Sequence, residues 1–192
     1  YILPVLFIFC FVYPSLASIY NVKDFGAKGD GKQIDSPAIN RAIEEATKNG
    51  GGTIYLPAGT YLSYSIRLEN NITLYLDAGC RLLAAYPEEA SGYDVAEENE
   101  HNKYQDFGHS HWKNSLIWGI DLEYITICGQ GIIDGRGLTR EESRLPGVGN
   151  KAVSLKLCKN VIIKDVTMIN CGHFALLATG VDNMTINNVK VD

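Results

Sequence analysis

The sequence predicts an all-β solenoid, a parallel β-helix covered at its N-terminal end by an amphipathic helix, and three observations point to it. Asn160-Val161-Ile162-Ile163-Lys164-Asp165-Val166 is echoed 23 positions later by Asn183-Met184-Thr185-Ile186-Asn187-Asn188-Val189. One such unit cannot bury its apolar face alone, so stacked copies must share a core. The chain after residue 50 is strand after strand, each short, β-rich and punctuated by Gly, Asn and Asp. A single amphipathic stripe precedes them. A β-sandwich also offers short strands, but it relies on tight hairpins and has no need of near-identical units running in one direction.

In order along the chain, residues 20–32 read as a short strand and a Gly/Asp loop. Ser36 suits a helix N-cap, Pro37 the first helical position, and Gly50 the C-cap. Ile39, Ala42, Ile43 and Ala46 form one apolar stripe. A solenoid end exposes its core and its strand edges, and a helix over 39–48 laid across it covers both. Arg41, Glu44, Glu45 and Lys48 then form the wet face. Residues 51–61 give a strand, a turn at Pro57-Ala58-Gly59 and a second strand start. Strands follow at 66–68, 72–76, 81–83, 116–118, 125–128, 132–133, 153–157, 161–163, 166–168, 175–177, 184–186 and 189–191. Residues 86–114 break the rhythm with Pro87, a cluster of carboxylates, His101, His109 and His111, and several aromatics. Such an excursion from a compact fold is expected to be functional or disordered.

Residues 1–17 carry no charge, and Ser15-Leu16-Ala17 supplies small residues for cleavage after Ala17. They predict a secretory signal peptide, with 18–192 as part of a single domain; the run is too short and too broken by Pro4 and Pro14 for a stable membrane span. The absence of an initiating Met suggests that residues precede Tyr1. The net charge of −5 argues against nucleic acid as partner. Without Cys10, four cysteines remain, Cys80, Cys128, Cys158 and Cys171, read as disulfides in one of three pairings or as buried thiols rather than metal ligands. Asn71-Ile72-Thr73 and Asn183-Met184-Thr185 are glycosylation sequons, at positions where Asn is also favoured for its turn geometry.

Val22-Lys23-Asp24-Phe25-Gly26-Ala27, Asp35-Ser36-Pro37-Ala38-Ile39-Asn40, residues 51–61, Trp112-Lys113-Asn114-Ser115-Leu116-Ile117-Trp118, Gly129-Gln130-Gly131-Ile132-Ile133-Asp134-Gly135 and the coils at Asn160 and Asn183 together resemble the N-terminal half of plant glycoside hydrolase family 28. These are the polygalacturonases and polygalacturonase-like proteins of the pectin lyase-like superfamily. The resemblance covers essentially all of 18–192. It implies a right-handed parallel β-helix, secretion to the cell wall, a pectic polysaccharide partner, a monomeric complete protein and inverting hydrolysis of α-1,4-galacturonosyl bonds.

The family's Asn-Thr-Asp-like, Asp-Asp-like, Gly-His-Gly and Arg-Ile-Lys signatures do not occur in this sequence. The first is expected just after Asp192, so the chain is read as an N-terminal portion that is inactive alone. An inverting glycosidase needs an acid and a base separated by about 6.5–9.5 Å. Asp134, Asp165 and Asp182 read as turn or surface residues, and Asp192 cannot be assigned. No catalytic, cofactor or metal residue is therefore assigned. His109 and His111, two apart, give only two ligands of a metal site. With Tyr104, Phe107, Trp112 and Trp118, that segment is read either as packing against the solenoid or as an aromatic shelf beside a glycan cleft. His173 is a structural histidine or a substrate contact. The alternatives to a hydrolase are a non-catalytic β-helix that binds wall glycan and, more distantly, a calcium-dependent pectate lyase.

Overall fold

The computed structural model describes residues 18–88, 92–100, 109–141 and 145–192. The predicted signal peptide, Tyr104 and Phe107 lie outside them. The described chain is a right-handed parallel β-helix whose coils lay one strand on each of three sheets, the crossover hand that twisted strands favour. The first sheet stacks β1 (Ile19–Asn21), β3 (Gly52–Leu56), β6 (Ile72–Leu76), β9 (Glu123–Gly129), β12 (Lys159–Lys164) and β15 (Asp182–Asn187). The second stacks β2 (Asp30–Ile34), β4 (Gly59–Ser63), β7 (Cys80–Ala84), β10 (Ile132–Asp134), β13 (Thr167–Ile169) and β16 (Lys190–Val191). The third has β5 (Ile66–Arg67), β8 (Ser115–Ile120), β11 (Lys151–Lys156) and β14 (Phe174–Thr179).

The two-residue alternation sets what each sheet buries. In the first sheet Ile54, Leu74, Ile127 and Ile163 lie opposite one another on successive rungs and are almost fully buried. Leu82, Ile133 and Met168 do the same in the second sheet, and Ile66, Ile117 and Val153 in the third. Burying each such side chain contributes about 1.5–3 kcal/mol, and no coil can do so without its neighbours. The repeat seen in the sequence is a rung of this stack. Val161 pairs with Met184 and Ile163 with Ile186, while Asn183 Nδ2 donates to Asn160 Oδ1 at 2.7 Å and Asn188 Nδ2 to Asp165 Oδ1 at 2.9 Å.

The opening coil has β1 and β2 but no strand in the third sheet; helix α1 (Ser36–Lys48) takes that place. Its stripe of Ala38, Ile39, Ala42, Ile43 and Ala46 is buried over the end of the core, as its spacing predicts. The helix begins one residue earlier than expected. Asp35 occupies the N-cap, yet its carboxylate turns away to accept from Lys28 N at 2.7 Å and Gly29 N at 2.9 Å, and Ser36 Oγ accepts from Tyr64 N. At the other end Asn49 is the C-cap and Gly50 follows it at φ 89°. Gly50 N donates to Thr47 O and Gly51 N to Ala46 O, the paired bonds of a Schellman motif. Part of the expected Gly/Asp loop is in fact β2, paired with β4 through Asp30 and Thr60.

Two long connections leave the coil at the same corner, between the second and third sheets: residues 85–114 from β7 to β8 and residues 135–150 from β10 to β11. They are tied together where Tyr93 bridges antiparallel to Gly147, with Tyr93 N donating to Gly147 O at 3.0 Å. The tyrosine hydroxyl donates to Ala85 O at 2.7 Å, and its ring meets Tyr64 edge-on. The described stretches of these connections form a wall beside the outer face of the third sheet, with Asp94 at Arg67 and Trp118 and Trp112 at Ser154.

Candidate functional site: a cationic, tryptophan-lined groove

Ile66, Ile117 and Val153 point inward, so the residues that follow them point outward: Arg67, Trp118 and Ser154, with Leu177 on the next rung. Lys156 lies outward two positions beyond Ser154. This is the floor of the groove. The wall places Trp112 across it, for Ser154 Oγ and Ser115 Oγ both donate to Trp112 O, at 2.5 and 2.7 Å. Glu97 holds the same segment from behind. Its carboxylate accepts from Trp112 N at 3.0 Å and from Lys113 N at 3.1 Å, two charge-assisted bonds that orient both side chains.

Each tryptophan carries a cation. Lys156 Nζ sits 4.1 Å from the centroid of Trp112, and Lys113 Nζ 5.6 Å from that of Trp118. A lysine over an indole face is held by about 0.5–2 kcal/mol, depending on desolvation, and keeps its remaining N–H donors free for another partner. Arg67 closes the row on β5. Its guanidinium makes a bidentate pair with Asp94 at 2.7 and 2.8 Å, and Trp118 Nε1 donates to the same carboxylate at 2.8 Å. The hydrogen bond and charge of Asp94 raise the Arg67 pKa above its ordinary value, and about half of the arginine side chain remains exposed. Beyond this pair, against α1, lies a recess of about 650 Å³ lined by Asn40, Glu44, Tyr64 and Gly92 among others.

Of the two readings, Trp112 follows packing against the solenoid, for it is only 3% exposed, whereas Trp118 remains partly exposed at the outer face of the third sheet. Arg67, Lys113, Lys156, Asp94 and Glu97 were missed, because strand register and the return of residues 92–97 over β5 are long-range facts. The nearest signal was Lys113 adjoining Trp112. The histidines diverge instead of sharing a face. His111 is buried with Nδ1 3.0 Å from Glu97 O, whereas His109 is exposed and lies edge-on to Phe174 at 4.9 Å between centroids. His173 joins the lip of the groove, 6.2 Å from His109, with Nδ1 2.9 Å from Arg140 O. Beneath the wall, Lys151 is fully buried and donates to Asn114 Oδ1 at 3.1 Å and to Asn150 Oδ1.

The carboxylates considered from the sequence lie elsewhere. Asp134 is not the turn residue expected but ends β10 with no exposure, paired with Arg81 at 2.9 Å and Arg136 at 3.0 Å and accepting from Asn170 at 3.0 Å. Those partners use its acceptor sites, which makes it a structural link across three coils. Asp165 is exposed and accepts from Asn188, and Asp182 and Asp192 are exposed as well. The four cysteines are unpaired thiols. Burial pushes Cys80 up to about 12 and Cys171 to about 11. Asn71 and Asn183, the two sequon residues, are exposed with φ of 61° and 54°.

The geometry has counterparts in known proteins. Residues 19–117 match the family model for rhamnogalacturonase A/epimerase, pectate lyase-like proteins. An exo-poly-α-D-galacturonosidase of Dickeya chrysanthemi is 29% identical over 177 residues, 89% of this chain and 28% of that protein. A Vitis vinifera protein described as a probable polygalacturonase is 34% identical over 119 residues, 59% of this chain and 24% of the relative. The chain therefore spans less than a third of the length of these relatives. The hyperthermoactive exopolygalacturonase of Thermotoga maritima superposes with a TM-score of 0.70 at 23% identity over 91% of this chain and 47% of its own, which bears on the fold. With more than half of its length inside that family model, on a three-sheet β-helix shared with such enzymes, the chain belongs to the rhamnogalacturonase A/epimerase, pectate lyase-like family and is polygalacturonase-like.

Proposed function

We propose that this chain is the N-terminal portion of a secreted polygalacturonase-type glycoside hydrolase, and that its groove holds an acidic pectic chain for inverting hydrolysis of α-1,4-galacturonosyl bonds. The observation that carries the reading is Lys113 over the partly exposed Trp118, with Lys156 fixed on the buried Trp112 and Arg67 beside them. A uronide ring presents a C–H face that stacks on the partly exposed indole of Trp118 and a carboxylate that a lysine neutralises, while the buried Trp112 serves as the platform that fixes Lys156. The relatives that act on galacturonides support the same substrate class. Residues that protonate the leaving oxygen and activate water belong, on this reading, to coils after Asp192, and the protein works in the cell wall as a monomer with Asn71 or Asn183 open to glycosylation.

Calorimetric titration of this chain with tetragalacturonate tests the groove. Trp118→Ala and Lys156→Ala are each expected to weaken binding about tenfold, the loss of about 1.4 kcal/mol. Unchanged affinity in both variants overturns the assignment of the groove. For the hydrolase, the chain extended past Asp192 should release reducing ends from polygalacturonate, and a protein that binds but releases none would be a glycan-binding member instead.

A further inference from the structure

On the first sheet, a face distinct from the groove, one residue stands just before the first inward side chain of the four coils that carry β6, β9, β12 and β15: Asn71, Tyr124, Asn160 and Asn183. All four have left-handed backbone, with φ of 61°, 59°, 56° and 54°. Asparagine tolerates that conformation because its short amide bonds locally, and Asn183 Nδ2 donates to Asn160 Oδ1 at 2.7 Å to form a ladder between coils. Tyrosine has neither advantage. At Tyr124 it interrupts the amide ladder and strains the backbone, yet burial does not compensate, since the residue is 60% exposed. Its hydroxyl has no hydrogen-bond partner among the described residues. A bulky residue held where its neighbours are asparagine, with no packing return, points to a role outside the fold.

Tyr124 overhangs a shallow groove of about 220 Å³ lined by Thr126, Asn160, Ile162, Asn183 and Thr185. Thr126, Ile162 and Thr185 are register partners on successive rungs, about 4.8 Å apart. The lining has an aromatic face, a partly exposed aliphatic side chain, two hydroxyls and two carboxamides, and carries no charge. The nearby Glu123 and Lys159 neutralise one another at 3.7 Å. A sugar ring offers the matching surfaces, a C–H face for the phenol ring and hydroxyls for the amides and threonines. Without a cation to meet it, a carboxylate gains nothing here, so the groove selects uncharged residues. Its volume is too small to enclose a ligand and suits lateral contact with a chain that continues past it.

We infer that this face is a second carbohydrate site, which binds a neutral polysaccharide through Tyr124 independently of the cationic groove. Affinity electrophoresis through gels containing β-1,4-galactan tests it on protein made in a host that does not attach N-glycans. The expected result is retardation that is insensitive to salt, kept within about twofold in Tyr124→Phe and reduced about tenfold or more in Tyr124→Asn. Tyr124→Asn also extends the amide ladder, so its melting midpoint should equal or exceed that of the parent, which separates loss of binding from loss of fold. Trp118→Ala should leave galactan retardation unchanged, so that failure of the cationic groove and failure of this site are told apart. Absence of retardation, or equal retardation of Tyr124→Asn and the parent, overturns the inference. So does a concentration-dependent dimer abolished by Tyr124→Asn, which would make this face an interface between copies.

Discussion

Asp134 shows how a single side chain can look ordinary in sequence and be exceptional in place. Gly-Ile-Ile-Asp-Gly reads as a turn, but the register of β10 between β7 and β13 delivers the carboxylate to two arginines and an asparagine with no solvent around it. Removing one partner of such a buried cluster leaves the others uncompensated. Asp134→Ala is therefore expected to cost about 2–4 kcal/mol, tempered because both arginines reach solvent, and Asp134→Asn less, as its carbonyl still accepts. Denaturant midpoints at neutral pH read both. The buried thiol of Cys80 gives a second effect at this scale, with a defined sign. Its folded pKa is raised from 9.0 to about 12 by desolvation, so the folded state keeps a proton that the unfolded state releases. Stability is then fully present below pH 9 and falls between about 9 and 12, by at most about 1.4 kcal/mol per pH unit for this group. Cys80→Ala should flatten that slope in urea titrations run across the window, whatever it costs in packing at pH 7.

At the scale of elements, the helix and the strands were legible because their signals are local. The stripe from Ile39 to Ala46, Gly50 at its end and the β-rich runs each contain their own instruction, and the structure moves their ends by a residue or two. Strand β2 was not legible, since Asp30-Gly31-Lys32-Gln33 has turn residues and becomes a strand only by pairing with β4. Glycines at element ends make a contrast that backbone physics alone predicts. Gly50 has φ 89° with nothing within 4 Å of where a Cβ would stand, so Gly50→Ala is charged only the left-handed penalty, about 1–2 kcal/mol. Gly129 has φ 114°, and a Cβ there would lie 2.0 Å from Leu76 O on the adjacent rung. Gly129→Ala must push β9 from β6 and should yield little soluble protein, while Gly50→Ala purifies normally and melts slightly earlier.

Across the whole molecule, what the sequence left hidden is concentrated at one corner. The 23-residue repeat disclosed the stacking, yet the coils before it are separated by excursions whose residues meet only in three dimensions: Asp94 reaches Arg67 and Trp118, and Glu97 reaches Trp112. That corner also departs locally from the charge of the molecule, for with Arg67 paired to Asp94 and Glu97 held by backbone amides, Lys113 and Lys156 leave a small cationic surplus. The chain carries a net −5, yet Arg67, Lys113 and Lys156 line one groove beside two indoles. An acidic oligosaccharide is thus attracted by a local cationic field and repelled by the rest of the protein. Both are screened by salt, but not equally: the repulsion acts over long distances and disappears first, while contacts at a few ångströms persist. Tetragalacturonate affinity should accordingly change little as NaCl rises from about 0.02 M to about 0.1 M, where the Debye length is still about 10 Å, and then fall several-fold toward about 1 M, where it shortens to about 3 Å. Titration across that series checks it, and Lys113→Gln together with Lys156→Gln should remove most of the decline at high salt, because the attraction being screened is theirs.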